Sequence, residues 1–365
     1  MAMADSQRYR TRLFVAAPDD SEGGYLLFNL DLRRLFSSQE KPQPQADVDC
    51  PPPPLPLLSL PDPAVCFKKV DPKEHIVFSD SPCGDLIAGV GAVRVYDLGD
   101  LHFVLGANER TVLYDGTALS HGPDMTSAKH LVFLVPMGCR MFFAISAFPG
   151  YDLGPRFETL KQQPSPGGGS RWAWSAVPDP DPPGLPCRRA EVKAYFVSGA
   201  RVWVSLRYQG TFSYHTAHRR WRAEWQLPIN RRGMLVPDFL DTGRRLLFGI
   251  RSLDGHYDEN PFCAFDMDVR PPAVVATWPE AYPSAQLWRA GYGTRGQLAE
   301  VGYYGGGRFC LWVTNHDNTK AKAQRRNILS FMAVQLSPEL HLLEHQPSNY
   351  MLPLSSRHFP ADVIM

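Results

Sequence analysis

The sequence predicts an all-β fold, and three observations lead to this prediction. Short apolar runs with a period near two recur along the chain, and each is bounded by Gly, Pro, Asp, Asn or Ser. Prolines number 34 in 365 residues, and each one removes an amide donor and clashes with the preceding helical turn, which disfavours long helices. No segment keeps helical apolar spacing over three turns, and the best helix candidate is the short segment 31–37.

The apolar runs place the strands, and polar segments separate them. Representative strands are predicted at residues 25–30, 131–135, 141–145, 194–197, 202–206, 246–250 and 309–313. Pro-rich insertions are predicted at 39–63, where Pro51 to Pro56 favour polyproline II, and at 162–186, and a basic hairpin loop at 315–327. We expect a disordered N-terminus over residues 1–9, a single domain over 10–350 and a C-terminal tail over 351–365.

A loose internal repeat divides the predicted strands into groups. In each repeat a strand ends in an aromatic residue followed by a polar one, and a tryptophan often comes several residues later. The aromatic anchors Tyr114, Phe157, Tyr214 and Phe265 are 43, 57 and 51 residues apart. Repeats of about 50 residues are typical of kelch-type β-propeller blades. We therefore expect four-stranded blades, in which the aromatic anchor closes one strand, the tryptophan opens the next unit, and both pack between neighbouring blades.

The run from Gly210 to Trp221, Gly-Thr-Phe-Ser-Tyr-His and onward, resembles a kelch repeat. Together with segments 13–32, 114–116 and 301–311, it resembles a plant family of kelch-like β-propeller proteins whose functions are mostly uncharacterised. The resemblance implies a kelch-type β-propeller. At about 50 residues per blade, a domain of roughly 330 residues predicts six blades, with seven or five as alternatives. We expect the N-terminal strand within residues 12–32 to close the ring. Some plant kelch propellers carry an N-terminal F-box and serve as ubiquitin-ligase adaptors. About ten residues precede the first predicted strand, so no F-box is expected in this chain.

Charge and cysteine usage narrow the function classes and the compartment. Lys and Arg number 38 against 37 Asp and Glu, for a net charge of +1, which argues against a general polyanion binder. The sequence has no apolar run long enough for a membrane span and no signal-peptide pattern at its start. The seven cysteines are dispersed without a CxxC pair, as in reduced intracellular proteins. We expect a cytoplasmic or nuclear location.

Two short motifs match the residue patterns of catalytic signatures, but neither lies in the secondary structure that the chemistry requires. Gly291, Gly293 and Gly296 fit the dinucleotide-binding fingerprint, but a strand-like segment follows where that chemistry requires a helix, which favours a β-turn. His341, Glu344 and His345 fit the inverted zinc-protease motif, but in a predicted strand and turn. The sequence therefore predicts no catalytic residues, no cofactor and no metal site.

Two basic loops are the candidate partner-binding surfaces. For the first, the alternatives are solvated hairpin charges or a patch that recognises phosphate or acidic groups. For the second, they are a solvated hairpin tip or a nuclear-localisation or nucleic-acid loop. The candidate residues are His215, His218, Arg219, Arg220 and Arg222 in the first loop and Lys320, Lys322, Arg325 and Arg326 in the second.

The function expected from this reasoning is a non-enzymatic scaffold or adaptor that binds a partner protein through loops on one propeller face. A regulatory or defence-related partner is one option. The alternative is an enzyme or small-molecule binder that uses the central channel, which would require convergent titratable residues at the channel mouth. A third possibility, nucleic-acid binding through residues 320–326, predicts an affinity that falls steeply with salt.

Overall fold

The computed structural model describes most of the chain in 19 segments. They are residues 12–19, 24–36, 57–68, 75–80, 87–92, 94–98, 101–105, 109–115, 118–129, 132–138, 140–147, 149, 154–178, 191–207, 209–251, 261–281, 300–316, 327–352 and 362–364.

The regular secondary structure of the described segments is almost entirely β-strand, as the sequence predicts. The first half contains β1 (Arg12–Asp19), β2 (Gly24–Asp31), α1 (Leu32–Phe36), β3 (Leu57–Ser59), β4 (Val65–Lys68), β5 (His75–Asp80), β6 (Ile87–Ala92), β7 (Arg94–Leu98), β8 (Leu101–Leu105), β9 (Thr111–Tyr114), β10 (Leu119–His121), β11 (Val132–Pro136), β12 (Met141–Ser146), β13 (Phe157–Pro164) and β14 (Ser170–Val177). The second half contains β15 (Val192–Ser198), β16 (Arg201–Leu206), β17 (Gly210–His215), β18 (Arg220–Glu224), β19 (Ile229–Val236), β20 (Leu246–Arg251), β21 (Phe262–Asp266), β22 (Ala273–Trp278), β23 (Glu300–Tyr303), β24 (Arg308–His316), β25 (Asn327–Leu336), β26 (Leu342–Met351) and β27 (Asp362–Ile364). Short 3-10 helices lie at Phe239–Asp241 and Pro279–Ala281.

The described residues fall into two compact units, and the first lies within residues 1–68, 236–266 and 274–363. Its sheets have the strand orders β27-β1-β2-β4, β20-β21-β22 and β23-β24-β25-β26-β3. Neighbouring strands with a resolved register are antiparallel, except that β3 pairs parallel with β26. Phe248, Phe262 and Phe309 pack together in its core, with ring centroids 4.4 to 6.1 Å apart.

The second unit lies within residues 69–235, 267–273 and 364–365 and holds the candidate site. Its sheets have the strand orders β10-β9-β6-β5, β11-β12-β13-β14 and β18-β17-β16-β15-β19, and β7 and β8 form a separate hairpin. β15 pairs parallel with β19, while β15 to β18 form an antiparallel meander. One apolar cluster joins the sheet of β11 to β14 with the sheet of β15 to β18 through buried side chains such as Phe143, Phe157 and Tyr214.

The prediction of an all-β fold is confirmed, and so is the short helix, which is α1. Each of the seven representative runs lies wholly or mainly within a strand. The blade count, the ring closure and the single domain over 10–350 stay predictions. The C-terminal strand β27 does lie beside β1 in one sheet, although residues 351–365 were expected to be a tail. None of the described helices is long and apolar enough to cross a membrane.

The predicted insertion at 162–186 is wrong in its first half, because residues 157–177 form the hairpin of β13 and β14. The register pairs Pro164 with Ser170 and leaves a five-residue turn between them. Gly168 and Gly169 adopt φ of +80° and +87° in this turn, which side chains with a Cβ disfavour. The glycine run therefore closes a tight hairpin. The predicted insertion at 39–63 likewise contains a strand near its end, β3.

At Trp221, the aromatic-then-tryptophan pattern arises from pairing of two strands within one sheet, and the tryptophan does not begin a new repeat. This residue was expected to begin the next unit, but it lies opposite Tyr214 in the adjacent strand of the same sheet. Its ring also lies 5.1 Å from Phe157 and 6.5 Å from Phe143, which belong to the sheet of β11 to β14. Trp221 therefore packs against a neighbouring sheet, as expected, and it is at the same time the cross-strand partner of Tyr214 within its own sheet.

A completely buried ion pair lies at the sheet of β11 to β14. The Lys129 ammonium is 2.5 Å from the Glu158 carboxylate, and both side chains have 0% exposure. Lys129 also donates to the carbonyl of Pro155 at 2.5 Å, and Glu158 accepts from the amide and hydroxyl of Thr126 at 3.0 and 2.7 Å. Every charge in this site is thus satisfied by protein groups, which is the condition under which burial is tolerated.

Candidate functional site

The candidate site is the polar face of β16, β17 and β18. Because side chains directly opposite each other in an antiparallel sheet share a face, the register places Arg201, His215 and Arg220 in one row across the three strands. Ser213 and Arg222 lie in the next row of the same face. We call the surface formed by Arg201, His215, His218, Arg220 and Arg222 the basic patch.

The opposite face of the same strands is apolar and fixes the sheet in place. Val202, Tyr214 and Trp221 form the row between the two polar rows, and they belong to or pack against the cluster shared with β11 to β14. Trp221 also donates its indole N–H to the carbonyl of Pro178. The polar face is consequently carried by a sheet whose other side is anchored in the core.

A tight turn of residues 216–219 joins β17 to β18 and brings His218 onto the patch. Thr216 closes the turn, since its amide and hydroxyl donate to the carbonyl of Ala200 at 2.9 and 3.1 Å. Arg219 adopts φ of +51°, in the left-handed region that side chains with a Cβ rarely occupy. The turn directs the chain back within four residues, so two histidines three apart in sequence become neighbours.

The two histidine rings are in contact, with centroids 4.2 Å apart. The amide of His218 donates to Nδ1 of His215 at 3.3 Å. Nδ1 is therefore the acceptor nitrogen, and neutral His215 carries its proton on Nε2. Partial burial, followed by electrostatic interaction with His218 and with the Arg201 guanidinium, lowers the pKa of His215 below its ordinary value of 6.5. The neutral, Nε2–H form is thus the one that the site favours near neutral pH.

The arginines of the patch outnumber its acidic groups. Among the described residues, Glu224 is the carboxylate on this face of the three strands: it accepts from the Ser213 hydroxyl at 2.8 Å and lies 3.8 Å from the guanidinium of Arg222. Arg201 donates one N–H to the Ser213 hydroxyl at 3.0 Å. The side chain of Arg220 makes no hydrogen bond or ion pair with any other described residue. Most of the guanidinium donors on this face therefore remain available to a ligand.

The patch surrounds an open depression of about 550 Å³. Its lining consists of Arg201, His215, His218, Arg220, Trp221 and Arg222. These side chains include no hydroxyl or thiol nucleophile and no pair of carboxylates for acid and base roles. Guanidinium and imidazole N–H groups on a rigid sheet suit the recognition of an anionic group.

The structure brings together four of the nine residues predicted for partner binding, His215, His218, Arg220 and Arg222. Arg219 lies in the adjoining turn and does not line the depression. Lys320, Lys322, Arg325 and Arg326 lie outside the described residues. Sequence reasoning missed Arg201, because its place in the row depends on the register of β16 with β17.

The two motif matches contribute no site within the described part of the chain. His341 precedes β26, and Glu344 and His345 lie in that strand, where alternation directs consecutive side chains to opposite faces. Gly291, Gly293 and Gly296 lie outside the described residues. Among the residues that are described, no group of three or more His, Cys, Asp or Glu side chains is placed to hold a metal ion.

A sequence model of the family described as "Protein of unknown function (DUF1668)" matches residues 10–350. This chain belongs to the DUF1668 family. No curated protein matches the DUF1668 chain. Among solved structures it is similar to AztD of Citrobacter koseri, with 11% identity, a TM-score of 0.35, and 95% of this chain and 99% of that chain covered. It is also similar to the N-terminal domain of Nup159, with 9% identity, a TM-score of 0.33, and 97% and 75% covered. Such TM-scores are too low for either likeness to carry an argument.

Proposed function

We propose that this DUF1668 protein is a non-enzymatic interaction module that binds an anionic segment of a partner protein through the basic patch. The observation that supports this most strongly is the row formed by Arg201, His215 and Arg220, in which two guanidinium groups flank an imidazole and no carboxylate lies opposite any of them. An uncompensated group of donors on a structured surface favours a negatively charged partner.

The shape of the site favours a macromolecular partner. The depression is open, and polar side chains make up most of its lining, namely three arginines and two histidines. Small-molecule sites are normally enclosed and mostly apolar. Arginine is also one of the residue types most enriched at the energetic centres of protein interfaces.

The scaffold that we propose for this module is a kelch-type β-propeller. Successive antiparallel sheets support it, among them β5-β6-β9-β10 and β11 to β14 in one unit and β23 to β26 in the other. The pairing of β27 with β1 supports a ring closed by strands from the two ends of the chain. In such a scaffold, the turn of residues 216–219 would lie among the loops on one face.

Binding of labelled acidic peptides to the full chain tests the proposed function. We expect a glutamate-rich peptide to bind, a lysine-rich peptide of the same length not to bind, and the affinity to fall as salt is raised. The double variant Arg201→Gln, Arg220→Gln should lose at least tenfold in affinity, in line with two charge-assisted hydrogen bonds.

The matched control is Arg140→Gln, which removes an exposed arginine from the turn between β11 and β12, outside the patch. It should bind the acidic peptide as the unmodified chain does. Equal losses in the control and the double variant would show that binding follows overall charge, and the proposed site would then be wrong.

A further inference from the structure

We infer that the anionic group recognised by the basic patch is a phosphate monoester on a partner protein, and that His215 distinguishes it from a carboxylate. This inference rests on the proposed function, because it specifies the ligand of the same site. It follows from the charge balance of the patch, from the placement of its donors on three neighbouring strands and from the tautomer of His215.

The charge balance matches a dianion. Three arginines line the depression, Arg201, Arg220 and Arg222, and Glu224 compensates one of them through its contact with Arg222. With His215 neutral, Arg201 and Arg220 have no carboxylate partner among the described residues, so two positive charges remain. A phosphate monoester carries about −1.5 to −2 charges at pH 7, whereas a glutamate or aspartate side chain carries one. A carboxylate would leave one guanidinium of the row without a counter-charge.

The donors approach from three strands. Neighbouring strands lie about 4.8 Å apart, so Arg201, His215 and Arg220 span about 10 Å across the sheet. A phosphate monoester offers three terminal oxygens in a tetrahedral arrangement, each a strong acceptor. A carboxylate offers two oxygens in one plane. Donors from two flanking arginines and a central imidazole are therefore better matched by the phosphate.

His215 is held as a neutral donor. Its Nδ1 accepts the amide N–H of His218, so Nε2–H is the ring donor left for a ligand. His215 lines the depression, and the groups that face it are the guanidinium groups of Arg201 on β16 and Arg220 on β18 and the imidazole of His218 in the turn. Glu224 is the acidic group of this face and lies two rows away. The ring can thus donate to a phosphate oxygen without taking up a proton.

The test compares labelled peptides that differ only at one central residue, which is phosphoserine, glutamate or serine. The full chain should bind the phosphoserine peptide at least tenfold more tightly than the glutamate peptide, because a second charge and a third acceptor oxygen are added. The serine peptide should not bind measurably. Inorganic phosphate serves as the competitor and should displace the peptide only at concentrations far above that of the peptide.

Two variants isolate the contribution of His215. His215→Leu removes the ring donor and should reduce the preference for the phosphoserine peptide over the glutamate peptide, because the phosphate loses the donor that its third oxygen requires. His215→Gln restores an N–H donor and should recover part of the preference. Arg140→Gln is again the control, and thermal unfolding of each variant verifies that the sheet is retained.

The outcomes separate this inference from the proposed function. If the phosphoserine and glutamate peptides bind equally and both depend on Arg201 and Arg220, phosphate selectivity is overturned while the anion-binding function stands. If neither peptide depends on these arginines, both proposals are overturned. If inorganic phosphate competes at the concentration of the peptide, the ligand is free phosphate, and the assignment to a phosphorylated protein is overturned.

Discussion

Two groups of charged residues in the same unit have opposite surroundings. Lys129 and Glu158 are fully buried, and protein groups satisfy both charges. In the basic patch, Arg220 has no partner among the described residues and Arg201 uses one donor on Ser213. The first arrangement has no donor left for a ligand, and the second has several. Charge in this protein therefore serves the fold at one site and is available for binding at the other.

The comparison also shows that charge by itself does not indicate a binding site. The attraction between Lys129 and Glu158 is stronger than that between exposed charges at the same distance, because the low-dielectric interior screens it little. It nevertheless connects the segment 126–129 with β13, through Thr126 and Glu158, and presents nothing to solvent. What makes the basic patch a candidate binding site is an excess of hydrogen-bond donors over acceptors on an open surface.

The largest effect is expected at the buried pair. Glu158→Gln leaves the Lys129 ammonium buried without its counter-charge, so the free energy of unfolding should fall by about 3–5 kcal/mol. Denaturant unfolding of the full chain measures this loss. The double variant Lys129→Met, Glu158→Leu should recover much of it, because neither side chain then carries a buried charge. A loss below about 1 kcal/mol would contradict the role that we assign to the pair.

The basic patch should respond in the opposite way. Arg201→Gln with Arg220→Gln should change the free energy of unfolding by less than about 1 kcal/mol, since both side chains are partly or fully exposed and only one hydrogen bond, to Ser213, is lost. The same variant should lose anion binding. A large loss of stability without a loss of binding would assign these arginines to the fold.

Protonation of His215 gives a smaller effect. Because the pKa of His215 is lowered in the folded chain, the unfolded chain binds this proton more readily, and stability should fall as pH decreases through about 6.5. His215→Gln should reduce this pH dependence when unfolding is measured between about pH 5 and 8. An NMR titration of the His215 ring should place its pKa below that of an unfolded histidine. A pKa above the ordinary value would contradict the described surroundings.

The smallest effect is expected at Arg219. Its φ of +51° favours glycine, so Arg219→Gly should leave stability unchanged or raise it by up to about 1 kcal/mol. Arg219→Ala removes the same charge but keeps the unfavourable backbone angle, and it is the matched control. Since Arg219 does not line the depression, both variants should bind the phosphoserine peptide normally, as a fluorescence titration will show. Weaker binding in both would extend the patch to this residue.

The sequence predicts the strands well because the apolar alternation is local information. The runs around Phe143, Val204 and Phe248 read as strands, and each lies in the core. Gly168 and Gly169 were placed in an insertion because a glycine run between strands has the same composition whether it forms a tight turn or a long loop. Register separates these cases, and register depends on pairing between residues distant in sequence.

The candidate site was predictable only in part, for the same reason. Composition alone predicts the residues that are close in sequence, which are His215, His218, Arg220 and Arg222. Arg201 is 14 residues from His215 in the chain and joins the row only because β16 pairs with β17. The compensation by Glu224 and the proton position on His215 depend on contacts that no local pattern encodes.

The most direct test of the central claim is an NMR titration of the histidine rings with the phosphoserine peptide. The chain has 11 histidines, and ring signals can be assigned by single substitutions. We predict that the signals of His215 and His218 shift and saturate together with peptide binding, while the remaining histidine signals do not move. Saturable binding that leaves both of these rings unchanged would show that the basic patch is not the binding site.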